Sequence, residues 1–523
     1  MSKRLISLLL VGILVLSLAA GCGPKDVEEP AGGNESAGGE QQSGGDKVDT
    51  ATKSNDQIVV ALEADITSLD PQGHNDVISE KVSFLVFNRL FRLNENFEAV
   101  PDLAEDWSQP SEKEWLLKIK EGVKFHNGEE MTAEDVKFSM ERSIESPKVQ
   151  HVLEQLEKVE VVDKYTVKVT TKDVFAPFIN TLVHAGISVI PKDYVESNGD
   201  WANEPIGSGQ YKFVEWVSGD KVVLEKNEDY YDKDEMGIAD KIVFRVIPEG
   251  TSRTIALETG EVDVVVSLEA MDAPKVRDNS DLALYEKPST NFSYLGMNTQ
   301  KAPFNDKTFR QAMNYAIDKE AILAIALDGE GVIATSMTSD ALLGHVASDY
   351  TYDPDKAMEL LKASGKEGIS IEIWASGDVR KRVAEIAQAN LLDIGISSEI
   401  KMYEWGAFID ATNSGEQPMF TLGWDSNPDV DATLTPQFTT GSIGAQNRAQ
   451  YSSERVDKLI AEGRAELDNV KRKEIYEEIY RTLNDDAPWV PLYIENKIVG
   501  ARNGLKEVKL NSQGLIDLHK LHY

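Results

Sequence analysis

The chain has 523 residues, with 54 lysines and arginines against 89 aspartates and glutamates, which gives a formal net charge of −35. So acidic a surface repels the phosphate backbone of nucleic acid, and this excludes nucleic acid as a partner. Hydrophobic residues make up 41% of the chain, and a chain of this length can form two or three packed units.

The N-terminus carries a short apolar segment that predicts export from the cell. Lys3 and Arg4 precede an apolar run over residues 5–20, and small residues follow it. The run is shorter than the roughly 20 residues that a membrane-spanning helix needs. We therefore expect residues 1–21 to be a signal peptide that is removed from the mature protein.

Cys22 directly follows this segment and is the only cysteine of the chain. The tetrapeptide Ala19-Ala20-Gly21-Cys22 resembles the bacterial lipobox, in which the cysteine receives a diacylglyceryl group and becomes the new N-terminus. A disulfide within the chain is impossible, because there is no second cysteine. We expect a lipid on Cys22 that holds the protein at the extracellular face of the cytoplasmic membrane. The alternative is a plain signal peptide followed by a chance cysteine.

Residues 22–56 predict a flexible linker between this anchor and the rest of the protein. They are mostly Gly, Ser, Glu, Gln, Asp and Asn, and they lack the large apolar side chains that a packed core requires. As a flexible coil, the segment has a root-mean-square reach of about 30 Å. No later apolar run is long enough to span a bilayer, so the membrane contact is expected through the lipid alone.

From Ile58 onward, strand patterns alternate with helical patterns. Runs rich in β-branched and aromatic residues predict strands at 58–62, 221–224, 241–247, 262–266, 369–374, 397–405 and 489–494. Apolar residues spaced three and four apart predict helices at 309–327, 379–392, 453–467 and 470–483. Thr132 and Asp353 are expected to cap two further helices. This alternation predicts an α/β architecture, with ligand binding in a cleft between lobes.

Two glycine-containing segments predict tight backbone geometry. Phe125-His126-Asn127-Gly128 predicts a strand end that enters a turn, in which Gly128 adopts a positive φ. Gly207 and Gly209 flank Ser208 and allow another segment of the chain to approach closely. A phosphate-binding loop is the alternative, but neither a Lys-Ser/Thr pair nor a helix start follows.

The sequence contains no recognisable catalytic or metal-binding motif. It has no G-x-S-x-G, H-E-x-x-H, P-loop or dinucleotide-binding G-x-G-x-x-G sequence. The seven histidines are scattered, and no cysteine follows Cys22. The loop at 232–243 imitates a calcium loop but carries Met236 and Val243 at two ligand positions. We therefore predict no enzymatic activity, no cofactor and no metal site.

A series of longer sequence blocks is more specific. These blocks occupy residues 104–107, 115–128, 131–139, 205–213, 256–263, 298–318, 352–354 and 487–493. In the same order they resemble blocks of the extracellular solute-binding proteins of family 5, which serve peptide and nickel ABC importers and include dipeptide- and oligopeptide-binding proteins. The resemblance extends from Ile58 to the end of the chain.

The resemblance implies a type II periplasmic-binding-protein fold, in which two lobes are joined by a hinge of two crossing strands. The first lobe is expected at 57–292 together with 489–523, with an inserted subdomain at about 93–200. The second lobe is expected at 293–488. Such proteins bind by closing over their ligand. The resemblance also implies a monomer whose protein partner is the pair of transmembrane subunits of an ABC permease.

Two tryptophans are the first candidates for ligand contacts. Tyr403-Glu404-Trp405-Gly406 and Gly423-Trp424 resemble segments that line the cleft in dipeptide- and oligopeptide-binding relatives. A large rigid aromatic ring gives contact area at low entropic cost and tolerates varied ligand side chains. The alternative is that Trp405 and Trp424 both belong to the core.

The charged candidates follow from the same resemblance. In dipeptide-binding relatives an aspartate three residues after the second tryptophan binds the ligand ammonium, whereas this chain has Asn427. Either Asp425 or Asp429 supplies the missing charge, or the ligand has no free amine there. For the ligand carboxylate, Arg380 is the first candidate, and Arg382 and Arg448 compete with it. Gly209 and Tyr211 are added because their block borders the cleft in the family.

The leading hypothesis is a lipid-anchored receptor that captures short peptides and delivers them to an ABC permease. A nickel chelate, a haem-like compound, an oligosaccharide or a modified peptide such as glutathione is the alternative within the same class. A secreted hydrolase is disfavoured by the missing nucleophile and base motifs. A sensor that reports on peptides without import is a further alternative.

Overall fold

The structure, a computed structural model, describes residues 56–426 and 428–523. The predicted signal peptide, Cys22, the linker up to residue 55 and Asn427 lie outside the described residues. Within the described ranges, every helix is too short or too polar to cross a membrane.

The first half of the described chain is a mixture of strands and short helices. In chain order, its elements are β1 (Ile58–Leu62), α1 (Val77–Val86), β2 (Phe91–Leu93), β3 (Ala99–Pro101), β4 (Ala104–Ser111), β5 (Glu114–Ile119), α2 (Ala133–Glu145), β6 (Leu156–Asp163), β7 (Thr166–Thr171), α3 (Phe178–Thr181), α4 (Lys192–Ser197), β8 (Tyr211–Val217), β9 (Lys221–Lys226), β10 (Lys241–Val246), α5 (Gly250–Thr259), β11 (Val264–Val265) and α6 (Ala273–Arg277).

The second half has longer helices and two long strands. Its elements are β12 (Leu282–Met297), α7 (Lys307–Ala316), α8 (Lys319–Ala326), β13 (Gly331–Ile333), α9 (Pro354–Ser364), β14 (Ser370–Ala375), α10 (Asp378–Asp393), β15 (Ser397–Met402), α11 (Trp405–Asn413), β16 (Met419–Asp425), α12 (Asp431–Phe438), α13 (Glu454–Ala465), α14 (Asn469–Asp486) and β17 (Trp489–Arg502).

An eleven-stranded mixed sheet runs through the described residues. Its order is β15-β14-β16-β12-β17-β11-β1-β10-β9-β8, and β13 pairs with β17 beside this path. Strands β12 and β17, with 16 and 14 residues, lie antiparallel in the middle of the sheet. Their register shifts between Pro288 and Phe292 and again between Ser293 and Tyr294. These two strands therefore connect the early strands of the chain with β14, β15 and β16.

A separate four-stranded antiparallel sheet, in the order β4-β5-β7-β6, lies between β3 and β8 in the sequence. Alternate residues of its strands face a core of their own. In β5 the buried positions are Trp115, Leu117 and Ile119, and in β7 they are Val167, Val169 and Thr171. This period of two is typical of a strand with one buried face.

The C-terminal segment completes the core around β1. Val499, Ala501 and Leu521 are buried in one cluster with Ile58 and Val60, although more than four hundred residues of chain separate them. Burying a side chain of this size contributes roughly 1.5–3 kcal/mol. The first and last described segments therefore depend on each other for their packing.

Two predicted elements differ from the structure. The helix predicted over 309–327 was wrong as one element, because it is divided into α7 and α8. Asp318 accepts a hydrogen bond from the backbone N–H of Ala321 at 2.9 Å and begins a new helix there. The strand predicted over 397–405 ends at Met402, and Trp405 begins α11. The side chain of Glu404 caps that helix by accepting from the N–H of Gly406 at 2.9 Å.

Three predicted local motifs are confirmed. The carboxylate of Asp135 accepts from the N–H of Thr132 at 2.8 Å at the start of α2. Asp353 accepts from the N–H of Lys356 at 2.9 Å at the start of α9. Gly128 has φ +88° and donates its N–H to the carbonyl of Phe125 at 2.8 Å, which closes the predicted turn.

Candidate ligand-binding site

A cavity of about 870 Å³ lies between two groups of segments of the described chain. One wall comes from residues 75–102, 151–185, 210, 266 and 511–519, and the opposite wall comes from residues 428–464. Ligand sites for small molecules span roughly 300–1,000 Å³. The cavity is therefore large enough for a small peptide or a solute of similar size.

Amide side chains from both walls line the cavity. The eight asparagines and glutamines among the lining residues are Asn75, Asn88, Gln155, Asn180, Gln210, Gln446, Asn511 and Gln513. An amide both donates and accepts hydrogen bonds, so it pairs with either edge of a peptide group. Asn88 and Asn180 already form hydrogen bonds within the protein, and the remaining amides and the charged residues of the walls suit a polar ligand.

Helix α1 supplies the charged part of the first wall. Glu80 and Phe84 lie four residues apart on the same face, and Asn88 and Arg89 follow the end of the helix. Asp76 caps the helix by accepting from the N–H of Ser79 at 2.8 Å. The cap and the helical spacing together direct this row of side chains into the cavity.

Glu80 has an unusual acidity. Burial raises the pKa of its carboxyl group to about 7, although the positive charge of Arg89 opposes the shift. Its side chain is 18% exposed, toward the cavity. Burial also lowers the pKa of the neighbouring His184 to about 4, so that this imidazole is neutral at pH 7. Glu80 is therefore only partly ionised near neutral pH.

The tautomer of His184 follows from its two hydrogen bonds. Its Nδ1 accepts from the backbone N–H of Gly186 at 3.0 Å, so the proton of the neutral ring lies on Nε2. Nε2 donates to Oδ1 of Asn75 at 3.1 Å and lies 3.8 Å from Oε1 of Glu80. The Nε2–H of His184 therefore holds the amide of Asn75 in one orientation.

The two walls are in direct contact at one end of the cavity. Nδ2 of Asn180 donates to Oδ2 of Asp429 at 2.8 Å, and the N–H of Ala176 donates to the carbonyl of Arg464 at 2.9 Å. Arg464 also pairs with Asp431 at 3.0 Å. These contacts close that end of the cavity.

The structure places the two candidate acids differently. Asp429 lies in the cavity wall, but its carboxylate is buried and accepts from both terminal nitrogens of Arg472, at 2.6 and 2.8 Å. Asp425 is exposed at the end of β16 and accepts from Oγ1 of Thr290 at 3.2 Å. Its charge contributes to the raised pKa of Glu80 across the cavity. Of the two, only Asp425 has a carboxylate without a buried cation.

Neither candidate tryptophan is among the residues that line the cavity. Trp424 is half-buried opposite Phe292 on β12, and its Nε1 has no hydrogen-bond partner among the described residues. Trp405 is 48% exposed, and the guanidinium of Arg380 lies 5.1 Å from its ring centre. The alternative that Trp405 belongs to the core is excluded by its exposure.

Two of the three candidate arginines, Arg380 and Arg448, lie near one buried tyrosine. Burial raises the pKa of Tyr294, and the charges of Arg448 and Arg380 oppose this shift. Arg448 is half-buried, and its Nε has no partner among the described residues. Arg382 is exposed and donates to the carbonyl of Ala326 at 2.9 Å. Arg380 and Arg448 thus remain the candidates for binding an anionic group of the ligand.

The structure places Gly209 and Tyr211 behind the cavity. Tyr211 is fully buried and donates its hydroxyl to the carbonyl of Ala239 at 2.9 Å. A Cβ at Gly209 would lie 2.2 Å from the carbonyl oxygen of Leu85. Neither lines the cavity. The predicted role as ligand contacts is therefore corrected to a supporting one, in which Gly209 lets α1 approach.

The α1 side of the cavity was not predicted from the sequence. Glu80, Arg89, Asn75 and His184 belong to no recognised motif. A signal was available, because Ser79-Glu80-Lys81 and Asn88-Arg89 place charges within and directly after an otherwise apolar helix. Among the described residues, no group of three or more His, Cys, Asp or Glu side chains is arranged to hold a metal ion.

The chain is similar to known proteins over most of its length. The family model "Bacterial extracellular solute-binding proteins, family 5 Middle" matches residues 98–445. The glutathione-binding protein GsiB of Salmonella paratyphi A is 30% identical over 463 residues, which are 85% of this chain and 90% of GsiB.

Two solved structures share the fold at 27% identity. HbpA2 from Haemophilus parasuis has a TM-score of 0.83 and is matched over 89% of this chain and 99% of its own. The ABC transporter-associated periplasmic binding protein DppA from Helicobacter pylori, in complex with the peptide STSA, has a TM-score of 0.71 over 89% and 98% of the two chains.

These matches confirm the predicted fold class, a mixed α/β fold of the type II periplasmic-binding-protein kind. They also confirm the prediction that the protein is not an enzyme. The chain belongs to the bacterial extracellular solute-binding proteins of family 5, whose members are non-catalytic substrate-binding proteins of ABC importers.

Proposed function

We propose that this protein captures short peptides in the cavity and delivers them to the permease of an ABC importer. The observation that carries the proposal is the lining by eight amide side chains from both walls of an 870 Å³ cavity. Amides pair with main-chain N–H and C=O groups, which every peptide has, so they give affinity with little preference for ligand sequence.

Similar proteins support the ligand class. DppA from Helicobacter pylori is bound to a peptide, STSA, and GsiB is named for glutathione, which is a modified tripeptide. Glutathione and related modified peptides are therefore the second candidate ligands. Both candidates share peptide groups and carboxylates, so the amide-lined cavity is suited to either.

We further propose that lobe closure brings the remaining predicted residues to the ligand. The lobes would be 57–292 with 489–523, including the subdomain at 93–200, and 293–488. Movement about β12 and β17 would carry Trp405, Trp424 and Arg380 toward a ligand held against α1. In the closed form Arg380 or Arg448 would bind a ligand carboxylate, and Asp425 a ligand ammonium group.

The lipid anchor is part of the same proposal. A diacylglyceryl group on Cys22 and the linker that follows would keep the protein near its permease, since two acyl chains anchor a protein stably where one does not. We expect Cys22→Ser to release the protein into the medium or the periplasm. Cell fractionation and immunoblotting check this, and continued membrane association of the variant would contradict the anchor.

The ligand class is tested by identifying what the protein carries. The protein is purified under native conditions and denatured, and the released small molecules are identified by mass spectrometry. We expect peptides of a few residues or glutathione-like compounds. Calorimetric titration with an identified peptide then gives the affinity. Recovery of an oligosaccharide or a metal chelate, and no binding of any peptide, would contradict the proposal.

A further inference from the structure

The side chain of Arg89 is buried in the cavity wall with one edge unused. Arg89 is 8% exposed and lines the cavity next to the end of α1. Its Nη1 donates to the carbonyl of Val183 at 3.2 Å, and its guanidinium carbon lies 3.9 Å from the ring centre of Phe84. Nε is fully buried and has no hydrogen-bond partner among the described residues.

The unused edge of the guanidinium group has the geometry to bind a carboxylate. Nε and Nη2 point in the same direction and form a two-donor fork that matches the two oxygens of a carboxylate. Nη2 of Arg89 makes no hydrogen bond within the described chain, and Nε makes none either. The fork that is free is therefore the one suited to bidentate anion binding.

Arg89 differs in this respect from the other basic side chains of the cavity. Three lysine and arginine side chains of the lining each have a carboxylate partner: Lys81 with Glu63 at 3.4 Å, Arg92 with Glu235 at 3.7 Å, and Arg464 with Asp431 at 3.0 Å. Arg89 is the fourth, and within residues 56–426 and 428–523 it has no such ion pair. It is also more deeply buried than Arg92.

Among the described residues no carboxylate pairs directly with Arg89, although the charges of Asp102 and Glu80 favour its charged form from farther away. The carboxylate of Asp102 accepts from Nδ2 of Asn88, from the backbone N–H of Arg89 and from the hydroxyl of Tyr231. Glu80 is only partly ionised near neutral pH, because burial raises its pKa to about 7. A buried cation without a close partner is costly, and that cost is recovered when an anion binds to it.

We propose that Arg89 binds an anionic group of the ligand through its Nε–Nη2 edge, so that the transported solutes are acidic. The peptide part of this inference rests on the proposed function, and the ligands would be short peptides with a carboxylate directed at α1. If Arg380 or Arg448 binds the C-terminal carboxylate, the group at Arg89 is a second one. Peptides with two carboxylates then form the preferred class.

The test compares acidic with neutral peptides of equal length. An equimolar pool of tripeptides, half of which carry one Glu, is incubated with the protein, and the retained peptides are quantified by mass spectrometry. We expect the parent to enrich the Glu-containing peptides about 10- to 100-fold, the range for a hydrogen-bonded charge pair. Arg89→Met should abolish this enrichment and still retain neutral peptides, and Arg89→Lys should keep part of it.

Arg481→Met is the control, because Arg481 has the same charge, lies outside the cavity lining and is already paired with Glu477 at 2.9 Å. It should leave the enrichment unchanged. Equal enrichment by the parent and Arg89→Met would overturn the proposal, as would a parent without preference for acidic peptides. A loss of enrichment of the same size in Arg481→Met would also overturn it, because the effect would then come from the net charge of the protein and not from Arg89.

Thermal unfolding without ligand separates a binding role from a structural one. Because Arg89 is a buried cation without a close partner, Arg89→Met should unfold at the same temperature as the parent or a higher one. A marked decrease would assign Arg89 a structural role and overturn the proposal.

The same assay distinguishes failure of the inference from failure of the peptide proposal. If no tripeptide is retained, glutarate and glucuronate are added as non-peptide acids. Stabilisation of the parent but not of Arg89→Met would then support an acidic solute other than a peptide. If neither acid stabilises the parent, the inference is overturned together with the peptide proposal.

Discussion

Asp429, one of two candidates for binding a ligand ammonium group, is instead paired with Arg472 of the protein itself. Its two oxygens accept from Arg472, and both side chains are buried. A residue between Trp424 and helix α12 can face the ligand or the core. The local sequence does not distinguish these two orientations. The distinction depends on Arg472, which is 43 residues away in the sequence.

This assignment leads to opposite expectations for two aspartates. Asp429→Ala should lower the free energy of unfolding by about 3–5 kcal/mol, because it leaves the buried Arg472 without a partner. Asp425→Ala should change it by less than about 0.5 kcal/mol, because the side chain is exposed. Urea unfolding checks both. A fully stable Asp429→Ala variant would contradict the buried ion pair.

Asp425→Ala should also change ligand binding. If Asp425 binds a ligand ammonium, Asp425→Ala should weaken binding of a free peptide about tenfold and leave binding of its N-acetylated form unchanged. Calorimetric titration with the two peptides measures this. Equal affinities of the parent for both forms would show that the ammonium group has no charged contact.

Glu80 should make stability depend on pH near neutrality. The groups that face it are Arg89, Lys81, Asp76, Asp425 and His184. Its folded-state pKa of about 7 lies above the usual 4.5. The contribution of the protonated group is therefore complete below pH 4.5 and is lost as the pH rises through 7.

Glu80→Gln removes this dependence. Relative to the parent, the variant should gain up to about 3 kcal/mol of unfolding free energy between pH 4.5 and pH 8. Urea unfolding at several pH values checks this, with the exposed Glu112→Gln as the control. A difference between Glu80→Gln and the parent that does not change with pH would contradict the raised pKa.

At the scale of the elements, the close approach at Gly207 and Gly209 was predicted from sequence, but not the element that approaches. That element is the C-terminal turn of α1: a Cβ on Gly207 would lie 1.9 Å from the carbonyl oxygen of Val86. The two glycines therefore determine where the cavity face of α1 lies. Which helix fills such a space is a long-range property that a local pattern does not contain.

Gly207→Ala should therefore destabilise the protein. The methyl group would collide with backbone atoms that cannot rotate away, and such overpacking costs about 1–3 kcal/mol or more. Gly199→Ala is the control, because nothing lies within 4 Å of its added Cβ. We expect urea unfolding to separate the two variants clearly. Equal stabilities would mean that α1 does not pack on the 207–209 segment.

Element types were predicted well where a cap or a regular period was present, as at Asp353 and in the strands of the large sheet. They were predicted poorly where an apolar pattern continues across a break. The pattern over 309–327 continues through Ile317, and only the capping by Asp318 divides it into two helices. A short polar residue inside an apolar period is easily taken for a tolerated substitution.

At the scale of the whole molecule, the family resemblance predicted the fold class, which the structural matches confirm. Periodicity could not have predicted that β12 and β17 pair in the middle of the sheet, because the paired residues are 193 to 220 positions apart in the sequence. The lobe boundaries stay a prediction. They can be tested through the hinge motion that two such lobes would undergo when a ligand binds.

Ligand binding should make the molecule more compact. If the lobes close about β12 and β17, a saturating peptide should reduce the radius of gyration measured by small-angle scattering. At a ligand concentration 100 times Kd, the free energy of unfolding should rise by about 2.7 kcal/mol. Binding that stabilises the protein without reducing its radius of gyration would contradict hinge closure and leave a preformed site as the alternative.

Strand β17 also has a consequence for biosynthesis. It is among the last described elements to be synthesised, yet it lies between β11 and β12 and joins the two parts of the large sheet. Domains made of consecutive segments fold as they emerge from the ribosome, but here neither part can gain its central neighbour until nearly the whole chain has been made. Export through a narrow channel requires an unfolded chain. If the protein is exported as predicted, the late position of β17 would leave the sheet incomplete until that strand has been synthesised, and the chain would stay competent for export up to that point.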